Sequence, residues 1–419
     1  MLEHWYKEKR TLVDFRRGPL GPYFDGLAAH LRAKGYTRSG GRYVLGKSCL
    51  FNAFLIEHGV SRCKELSESL VDAFMEACHP CPFETGFRRD PKEQTRRALK
   101  HLFAYLVEIK AFTPPNPKPV LKPYTWLLDP FVQHLRVERG LSESALKYRC
   151  GQLSSFLESL GSGAGRERFK TLTAMSVEKL VRDHFRKSTS HPSSLSITLR
   201  EFLHYCARHH YTQADFSSLV PSLRSYRHAS LPKGMEDSRL ESMLKSIPRD
   251  TAGGARDYAI ILIMMAYGIR GISAAQLLLD DIDWHRARIR IRACKGGKEV
   301  VLPLVEAAGE AVVQYLKHRR TGTPYREVFL SVKAPFRPMN SMGISTMVRR
   351  YLVEAGVKTA GSGSRTLRHS WAIRALANDS PIKSIADVLG HRCIDTTFIY
   401  AKADLNSLRE VALPWPGKD

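Results

Sequence analysis

The chain has 419 residues, of which 43% are hydrophobic and 25% charged, and its formal net charge is +24. This length exceeds what one hydrophobic core usually covers, so two or three globular domains are expected. The excess of basic residues indicates a polyanionic partner, with nucleic acid first, although a merely basic soluble protein remains an alternative.

The same sequence argues against secretion, a membrane span and a metal site. The N-terminus is charged and has no apolar signal core, and the most apolar run, Tyr258 to Ile269, is shorter than the about 20 residues a bilayer requires. That run is predicted to be a buried helix. The eight cysteines have no framework spacing, which indicates free thiols in a reducing cytoplasm. Cys78 and Cys81 lack a second ligand pair, so an ordinary loop is favoured over a zinc site.

Two proline-rich stretches divide the chain into three segments. Prolines at 114–119 disfavour a helix, and Pro221, Pro232 and Gly234 interrupt a second polar stretch. We therefore predict an N-terminal helical module at 1–113, a linker at 114–123, a second helical segment at 124–220, a linker at 221–231 and a third segment at 232–419.

The first two segments share a pattern of helical apolar spacing with basic residues between. Two unrelated bundles could share such a periodicity, but a duplicated helical DNA-binding module is favoured by the matched residues. These are His30-Leu31-Arg32 with His134-Leu135-Arg136, Tyr43, Gly46 and Phe51 with Tyr148, Gly151 and Phe156, and Leu102 and Tyr105 with Phe202 and Tyr205.

The third segment contains one clear hairpin. Arginines at 288, 290 and 292 alternate with Ile289 and Ile291, which is the period of a half-buried strand. Gly296 and Gly297 supply the turn, and 300–302 form the returning strand. Lys295 then stands at the hairpin tip. The remainder is helical, so the predicted fold class is mainly α with a small antiparallel sheet (α+β).

Four motifs of this segment carry the candidate chemistry. Gly268-Ile269-Arg270 ends the buried helix, and Lys295 follows on the hairpin. Arg365-Thr366-Leu367-Arg368-His369 opens a helix whose apolar stripe is Leu367, Trp371 and Ala375. Pro381 begins a short helix that Gly390 is placed to cap, and His391 follows. Asp395-Thr396-Thr397 is predicted to cap a further helix that holds Tyr400 in its first turns.

In this order, the motifs resemble the catalytic domain of the tyrosine recombinase (phage integrase) family over 232–410, and 124–220 resembles its core-binding domain. The resemblance implies that Tyr400 is a nucleophile that forms a 3′-phosphotyrosyl link to DNA. Arg270 and Arg368 are the implied ligands of the phosphate oxygens, because arginine forks bind them in pairs. His391 is expected to donate a further hydrogen bond, Lys295 to protonate the leaving 5′ oxygen, and no metal or nucleotide cofactor is expected.

Two positions depart from the family pattern. Ser273 stands where a carboxylate is usual, and Arg365 stands where histidine or lysine is usual. Histidine there can accept the tyrosine proton, whereas arginine effectively cannot. Arg365 is therefore expected to stabilise charge, which leaves water or a phosphate oxygen to take the proton. His369 is expected to pack or hydrogen-bond within the fold rather than to react.

The expected partner is double-stranded DNA at a specific recombination site. The candidate contacts are basic residues of the second segment and the hairpin: Arg136, Arg139, Lys147, Arg149, Arg200 and Lys298. The first segment is expected to extend a DNA clamp or to read accessory DNA.

The resemblance also implies a homotetramer on two DNA sites, with partner recombinases an open question. The C-terminal tail at 403–419 would pack on a neighbouring protomer or on its own. By analogy, we expect a recombinase of a bacterial mobile element, acting in integration or transposition in the cytoplasm on the nucleoid. A catalytically silent architectural subunit and a type IB topoisomerase are the alternatives.

Overall fold

The computed structural model describes residues 1–77, 91–113, 124–160, 165–222, 234–293, 299–357 and 363–402. The fold is mainly helical with a three-stranded antiparallel sheet, which confirms the predicted class. Each of the three segments contains its own hydrophobic core. By packing, however, the chain divides into two compact units, Met1–Pro114 with Ser230–Asp419 and Pro115–Ala229. Within the described ranges, no helix is both long and apolar enough to cross a membrane.

The first segment is a helical bundle closed around large aromatic side chains. Trp5, Phe24 and Phe51 are each at most 1% exposed. The described helices are α1 (Lys9–Arg16), α2 (Gly21–Ala33), α3 (Arg38–Glu57), α4 (Glu68–Ala77) and α5 (Pro91–Glu108). Thr37 caps α3 by accepting a hydrogen bond from the Gly40 amide. The turn after α2, at Gly35, lies against Arg320 and Phe336 of the third segment.

The second segment is another bundle, built around Phe131, Leu153 and Phe202, which are fully buried. Its helices are α6 (Thr125–Val137), α7 (Glu143–Glu158), α8 (Arg166–Lys170), α9 (Ala174–Lys187) and α10 (Pro192–Arg208). Thr173 and Ser176 form a reciprocal capping box at the start of α9. The two linkers lie largely outside the described residues, as do Cys78 and Cys81.

The first two segments share local geometry as well as sequence. Helices α2 and α6 both have 13 residues, and each is followed by a left-handed glycine, Gly35 or Gly140. In both bundles a histidine of the 13-residue helix packs against a tyrosine of the last helix, with the rings tilted and their centroids 5.1 Å apart. These pairs are His30–Tyr105 and His134–Tyr205. The two bundles are therefore built alike at matched positions.

The third segment is organised around a single buried helix. Its helices are α11 (Asp237–Lys245), α12 (Ala252–Tyr267), α13 (Gly271–Ala275), α14 (Glu306–His318), α15 (Ser341–Glu354), α16 (Gly363–Ala377), α17 (Ile382–Leu389) and α18 (Phe398–Ala401). Thr251 caps α12 by accepting from the Gly254 amide at 3.0 Å. Ile260, Ile263 and Met264 on α12 are fully buried, as the apolar run predicts.

The sheet confirms the predicted hairpin and adds a strand. Its strands are β1 (Ile282–Asp283), β2 (Arg288–Ile291) and β3 (Val300–Pro303), in the order β1-β2-β3. Ile289 is fully buried between Ile282 and Leu302. Residues 294–298, on which the predicted turn with Lys295 and Lys298 falls, lie outside the described residues. Asp281, whose side chain is buried, accepts hydrogen bonds from Arg290 and Arg292.

A buried carboxylate joins α12 to α15. Asp257 is 3% exposed and accepts hydrogen bonds from Arg256 at 2.6 Å, Arg350 at 3.0 Å and Tyr351 at 3.2 Å. Removal of one partner from such a buried network leaves the others uncompensated. The network therefore fixes how α15 packs on the central helix.

We expect Asp257→Ala to lower the free energy of unfolding by about 3–5 kcal/mol, because two arginines and a phenol lose their acceptor. Asp280→Ala is the matched control: Asp280 also pairs with an arginine, Arg326, but is 58% exposed, so its loss should cost about 1 kcal/mol or less. Urea unfolding of both variants measures the difference. Equal losses would contradict a stabilising role for the buried network.

Candidate active site

The site begins where the central helix ends. Gly268 adopts the left-handed conformation (φ 61°) that terminates α12, and Arg270 follows at the start of α13. A Cβ at Gly268 would lie 2.8 Å from the Trp371 ring and 2.9 Å from Leu389. Both the conformation and the close packing require glycine, so this turn sets the position of Arg270.

Helix α16 supplies hydrogen-bond donors to the end of α12. The last carbonyl groups of a helix have no partner within it. Here Arg374 donates to Met265 O at 3.0 Å and Trp371 Nε1 donates to Ala266 O at 2.8 Å. Arg368 Nη1 donates to Gly268 O at 2.9 Å. The side chains of α16 are thus held in register against the turn that carries Arg270.

Arg368 is the most buried cation of the site, at 7% exposure. Its Nη2 donates to Leu389 O and to His391 Nε2, both at 2.8 Å. Arg270 Nη1 reaches the same Leu389 carbonyl at 3.4 Å. Burial, and then the neighbouring Arg270, lowers the pKa of Arg368 to about 10, so it remains a cation at neutral pH.

These two arginines face a small cavity. Its lining includes Arg270, Ser273, Arg292 and Arg368, together with the end of α17. Arg292 is anchored there by Asp281 at 2.9 Å. The sequence did not assign Arg292 to the site, although its place in the alternation of β2 marked it as facing away from the core. Several guanidinium groups on one cavity suit a phosphate group.

His391 is neutral in this arrangement. It follows Gly390, which ends α17 in the predicted left-handed conformation (φ 61°). A guanidinium can only donate, so His391 Nε2 accepts from Arg368, and Nδ1–H donates to Thr397 Oγ1 at 2.7 Å. Burial, followed by Arg368 and Arg270, lowers the pKa of His391 to about 4. The sequence predicts a donor at this position, whereas here Nε2 is an acceptor and must gain a proton before it can donate.

Tyr400 lies in α18, near Arg368 and Arg270, and is 3% exposed. A turn at Ile394–Thr396 precedes the helix, and Thr397 rather than Asp395 occupies the N-cap position. The guanidinium of Arg368 lies near the Tyr400 hydroxyl. Burial raises the pKa of Tyr400, and Arg368, Arg270 and Arg365 oppose that rise without cancelling it.

The other partner of the tyrosine is His369. Its Nδ1 lies 3.1 Å from Tyr400 Oη, and the ring centroids are 5.6 Å apart. Burial, then Arg365 and Arg368, lowers the pKa of His369. The expectation that His369 hydrogen-bonds within the fold is met, but its partner is the candidate nucleophile. Its place directly after Arg368 was the only signal in the sequence.

The structure thus brings together four candidates from three separate motifs: Arg270, Arg368, His391 and Tyr400. Arg365 is exposed at the start of α16, close enough to influence both His369 and Tyr400. Lys295 lies outside the described residues.

The candidate DNA contacts of the second segment differ in exposure. Lys147 is exposed, while Arg136 pairs with Glu143 at 2.9 Å on the surface. Arg139 and Arg149 both pair with Glu201. Arg200 donates to Val220 O at 2.8 Å, which ties the end of the bundle to α10. Lys147, Arg136 and Arg139 are therefore the more accessible members of the predicted set.

Comparison with curated proteins places this site in a known context. Residues 233–406 match the model of the phage integrase family. A protein named as an integrase/recombinase, y4rA of Sinorhizobium fredii, is 32% identical over 409 residues, which cover 96% of this chain and 96% of that protein. Tyrosine recombinase XerD of Listeria innocua is 28% identical over 291 residues, covering 68% of this chain and 96% of XerD.

Solved structures with a similar fold are recombinases bound to DNA. The XerH site-specific recombinase bound to a palindromic difH substrate aligns with a TM-score of 0.51 at 19% identity, covering 68% of this chain and 82% of that one. A lambda integrase dimer bound to a COC′ core site aligns with a TM-score of 0.51 at 14% identity, covering 70% and 98%. At these identities the likeness concerns the fold.

The lowered pKa of His391 predicts a loss of stability in acid. Between pH 6.5, its ordinary pKa, and about 4, its pKa in the fold, the unfolded chain binds the proton and the folded chain does not. The free energy of unfolding should therefore decrease as the pH is lowered across this window. His391→Asn should lessen that fall by about 1–3 kcal/mol, since each pKa unit corresponds to about 1.4 kcal/mol and partial exposure reduces it.

Urea unfolding at pH 7 and at pH 4.5 measures this effect. His285→Asn is the control, because His285 is exposed, and it should unfold with the wild-type pH dependence. Identical pH dependence of the His391 variant and the wild type would show that His391 is not held neutral by the site.

Proposed function

Because this chain belongs to the phage integrase family of tyrosine recombinases, we propose that it breaks and rejoins DNA with Tyr400 as its nucleophile. The observation that carries the proposal is that Tyr400 lies near Arg368 and Arg270, which both oppose the rise of its pKa and which both line one cavity. A phosphodiester held in that cavity would present its phosphorus to the phenol. The family accounts for the reaction class, and the geometry supports the residues.

The reaction is a transesterification. The bond from Tyr400 Oη to phosphorus forms while the bond from phosphorus to the 5′ oxygen breaks, which gives a 3′-phosphotyrosyl intermediate and a free 5′-hydroxyl. Negative charge develops on the non-bridging oxygens, and Arg270 and Arg368 neutralise it. Each preorganised donor of this kind is typically worth about 2.7–4 kcal/mol of barrier. Lys295 protonates the 5′ oxygen, and attack by a 5′-hydroxyl reverses the steps.

The covalent intermediate makes the reaction independent of metal and of ATP. The phosphoryl group passes from one oxygen to another and back, so the energy of the broken bond is retained in the phosphotyrosine. His391 becomes a hydrogen-bond donor when an anionic phosphate enters, because a nearby negative charge favours the imidazolium. Arg292 adds a further positive charge at the cavity.

A silent architectural subunit is the second candidate, since Ser273 and Arg365 depart from the family pattern. It would bind DNA through the same basic surface and require no reactive tyrosine. The surroundings of Tyr400 argue against it: its hydroxyl lies near Arg368 and within hydrogen-bond distance of His369. A type IB topoisomerase uses the same chemistry, but tandem helical modules favour a bound site and strand exchange.

We also infer that the N-terminal bundle is a duplicate of the core-binding bundle at 124–220. The matched helices, left-handed glycines and His–Tyr ring contacts support this. In this alignment Arg42 on α3 corresponds to Lys147 on α7, and both are exposed. Both bundles would then contact the DNA backbone, the second at the core site and the first on flanking or accessory DNA.

The biological setting proposed is a bacterial mobile element. Integration or transposition would proceed through a homotetramer on two DNA sites, in the cytoplasm on the nucleoid, with or without partner recombinases. Similarity to a protein named as an integrase/recombinase supports integration. The tail at 403–419, which could join protomers, lies outside the described residues.

Tyr400→Phe tests the nucleophile directly. With a nicked suicide duplex that carries the element's end sequence, and with EDTA present, the wild type should form a protein–DNA adduct on a denaturing gel. The variant should form none and bind DNA with unchanged affinity, since only a hydroxyl is lost. Tyr315→Phe, which removes a buried phenol that accepts a hydrogen bond from Leu330 N at 3.1 Å, is the control and should form the adduct. Tight wild-type binding without an adduct, on a verified site and with partners added, would favour the silent subunit.

The duplication predicts a matched pair of backbone contacts. Lys147→Ala and Arg42→Ala should each reduce the slope of log affinity against log salt by about 1, because one phosphate contact is lost. Arg97→Ala is the control, since Arg97 already pairs with Glu93 at 3.0 Å and should leave the slope unchanged. Titrations on a full site with flanking DNA measure the slopes. If Lys147→Ala reduced the slope and Arg42→Ala did not, the first bundle would not belong to the DNA-binding surface.

A further inference from the structure

The phenolic proton of Tyr400 needs an acceptor. A phenol has a pKa near 10 in water, and burial in this site raises it further. Arg365, at the position from which a histidine could take the proton, is a permanent cation and cannot do so. Some other group within reach of Tyr400 Oη must therefore accept it.

The contacts of the hydroxyl identify that group. Arg368 lies nearby, but a guanidinium can only donate, so Arg368 cannot take the phenolic proton. His369 Nδ1 lies 3.1 Å from Oη, within hydrogen-bond distance. The side chains are 31 residues apart in sequence and are brought together by the packing of α16 on α18.

We propose that His369 is the general base of the cleavage step and accepts the proton of Tyr400 on Nδ1 as Oη bonds to phosphorus. This inference rests on the proposed function. The proton moves from Oη to Nδ1, the 5′ oxygen leaves with a proton from Lys295, and rejoining returns the first proton to Oη. No further reactant is needed. His369 contacts the reacting atom, so its role is catalytic and not only positional.

The surroundings of His369 suit this role. Burial and the cations Arg365 and Arg368 lower its pKa, so the imidazole is neutral at pH 7 and free to accept a proton. The negative charge of a bound phosphate would offset those cations and strengthen the base at the moment of reaction. In this mechanism Arg365 stabilises the developing negative charge, while His369 on the same helix, α16, takes the proton.

The test uses two substitutions of one residue. His369→Asn keeps a hydrogen-bonding group near the position of Nδ1 but cannot act as a base, whereas His369→Ala removes both. General base catalysis is typically worth about 10²–10⁴-fold, so both variants should slow single-turnover adduct formation by about 100-fold or more. DNA affinity and melting temperature should stay at wild-type values for the Asn variant.

The chain offers a matched control. In the N-terminal bundle, His101 Nδ1 lies 3.2 Å from the Tyr36 hydroxyl, with the ring centroids also 5.6 Å apart. Burial lowers the pKa of His101 as well. His101→Asn therefore makes the same chemical change in the same kind of pair, away from the proposed site, and should leave the rate of adduct formation unchanged.

A second measurement separates a base from a structural support. Replacement of Tyr400 by 3,5-difluorotyrosine lowers the phenol pKa, so a base becomes less necessary and the deficit of His369→Asn should shrink at least tenfold. A purely structural role predicts the same deficit with either phenol. A DNA substrate with sulfur at the 5′ bridging position has a leaving group that needs no acid. This substrate should restore the rate of adduct formation of Lys295→Ala but not that of His369→Asn.

The outcomes distinguish this inference from the proposed function. Adduct formation by the wild type with an equally fast His369→Asn variant would overturn the base and leave the nucleophile intact. A deficit that fluorination does not reduce would likewise assign His369 to support alone. Failure of the wild type itself to form an adduct would overturn both. The expected result is that His369→Asn forms the adduct slowly with tyrosine, and that 3,5-difluorotyrosine at position 400 restores much of the rate.

Discussion

The buried guanidinium of Arg368 is the interaction on which the site depends. It donates to the ends of two helices, at Gly268 O and Leu389 O, and to His391 Nε2. A charge at 7% exposure is tolerated only when its donors are satisfied, and here the unpaired carbonyls of helix ends satisfy them. The same bonds hold three separate parts of the chain together. The arginine-lined cavity is therefore assembled by contacts within the protein itself.

This preassembly has an electrostatic consequence. Several cations converge on one cavity with no carboxylate among the lining residues described, and Ser273 stands where a carboxylate could have stood. The site keeps both histidines neutral, with the pKa of His391 lowered to about 4. An entering phosphate relieves the repulsion between the arginines. In the proposed reaction, binding and activation of the site would be linked, because the negative charge of the phosphate offsets part of the positive charge of the arginines and raises the basicity of the histidines.

Tyr400, the proposed nucleophile, is buried by the same packing. Tyr400 is 3% exposed and lies in a small hydrophobic cluster with Ala372, Ile385 and Leu389, apart from the main core around α12. Burial raises the pKa of Tyr400 and so favours the protonated phenol. Helix α18 has only four residues, so its position depends on contacts with α16 rather than on its own hydrogen bonds. Small movements of α18 would change the distance from Tyr400 to the cavity.

Local features of this protein follow from its sequence alone. The left-handed ends at Gly268 and Gly390, the alternation of β2 and the buried α12 are set by neighbouring residues, and motif order identified the family. Only the tertiary structure decided which distant groups meet: Tyr400 with His369, Arg292 with the cavity, and His391 as an acceptor from Arg368. Periodicity shows which face of an element is buried, but it does not specify the partner of a polar group. That partner depends on how separate helix ends and strands pack, and packing is a property of the whole fold.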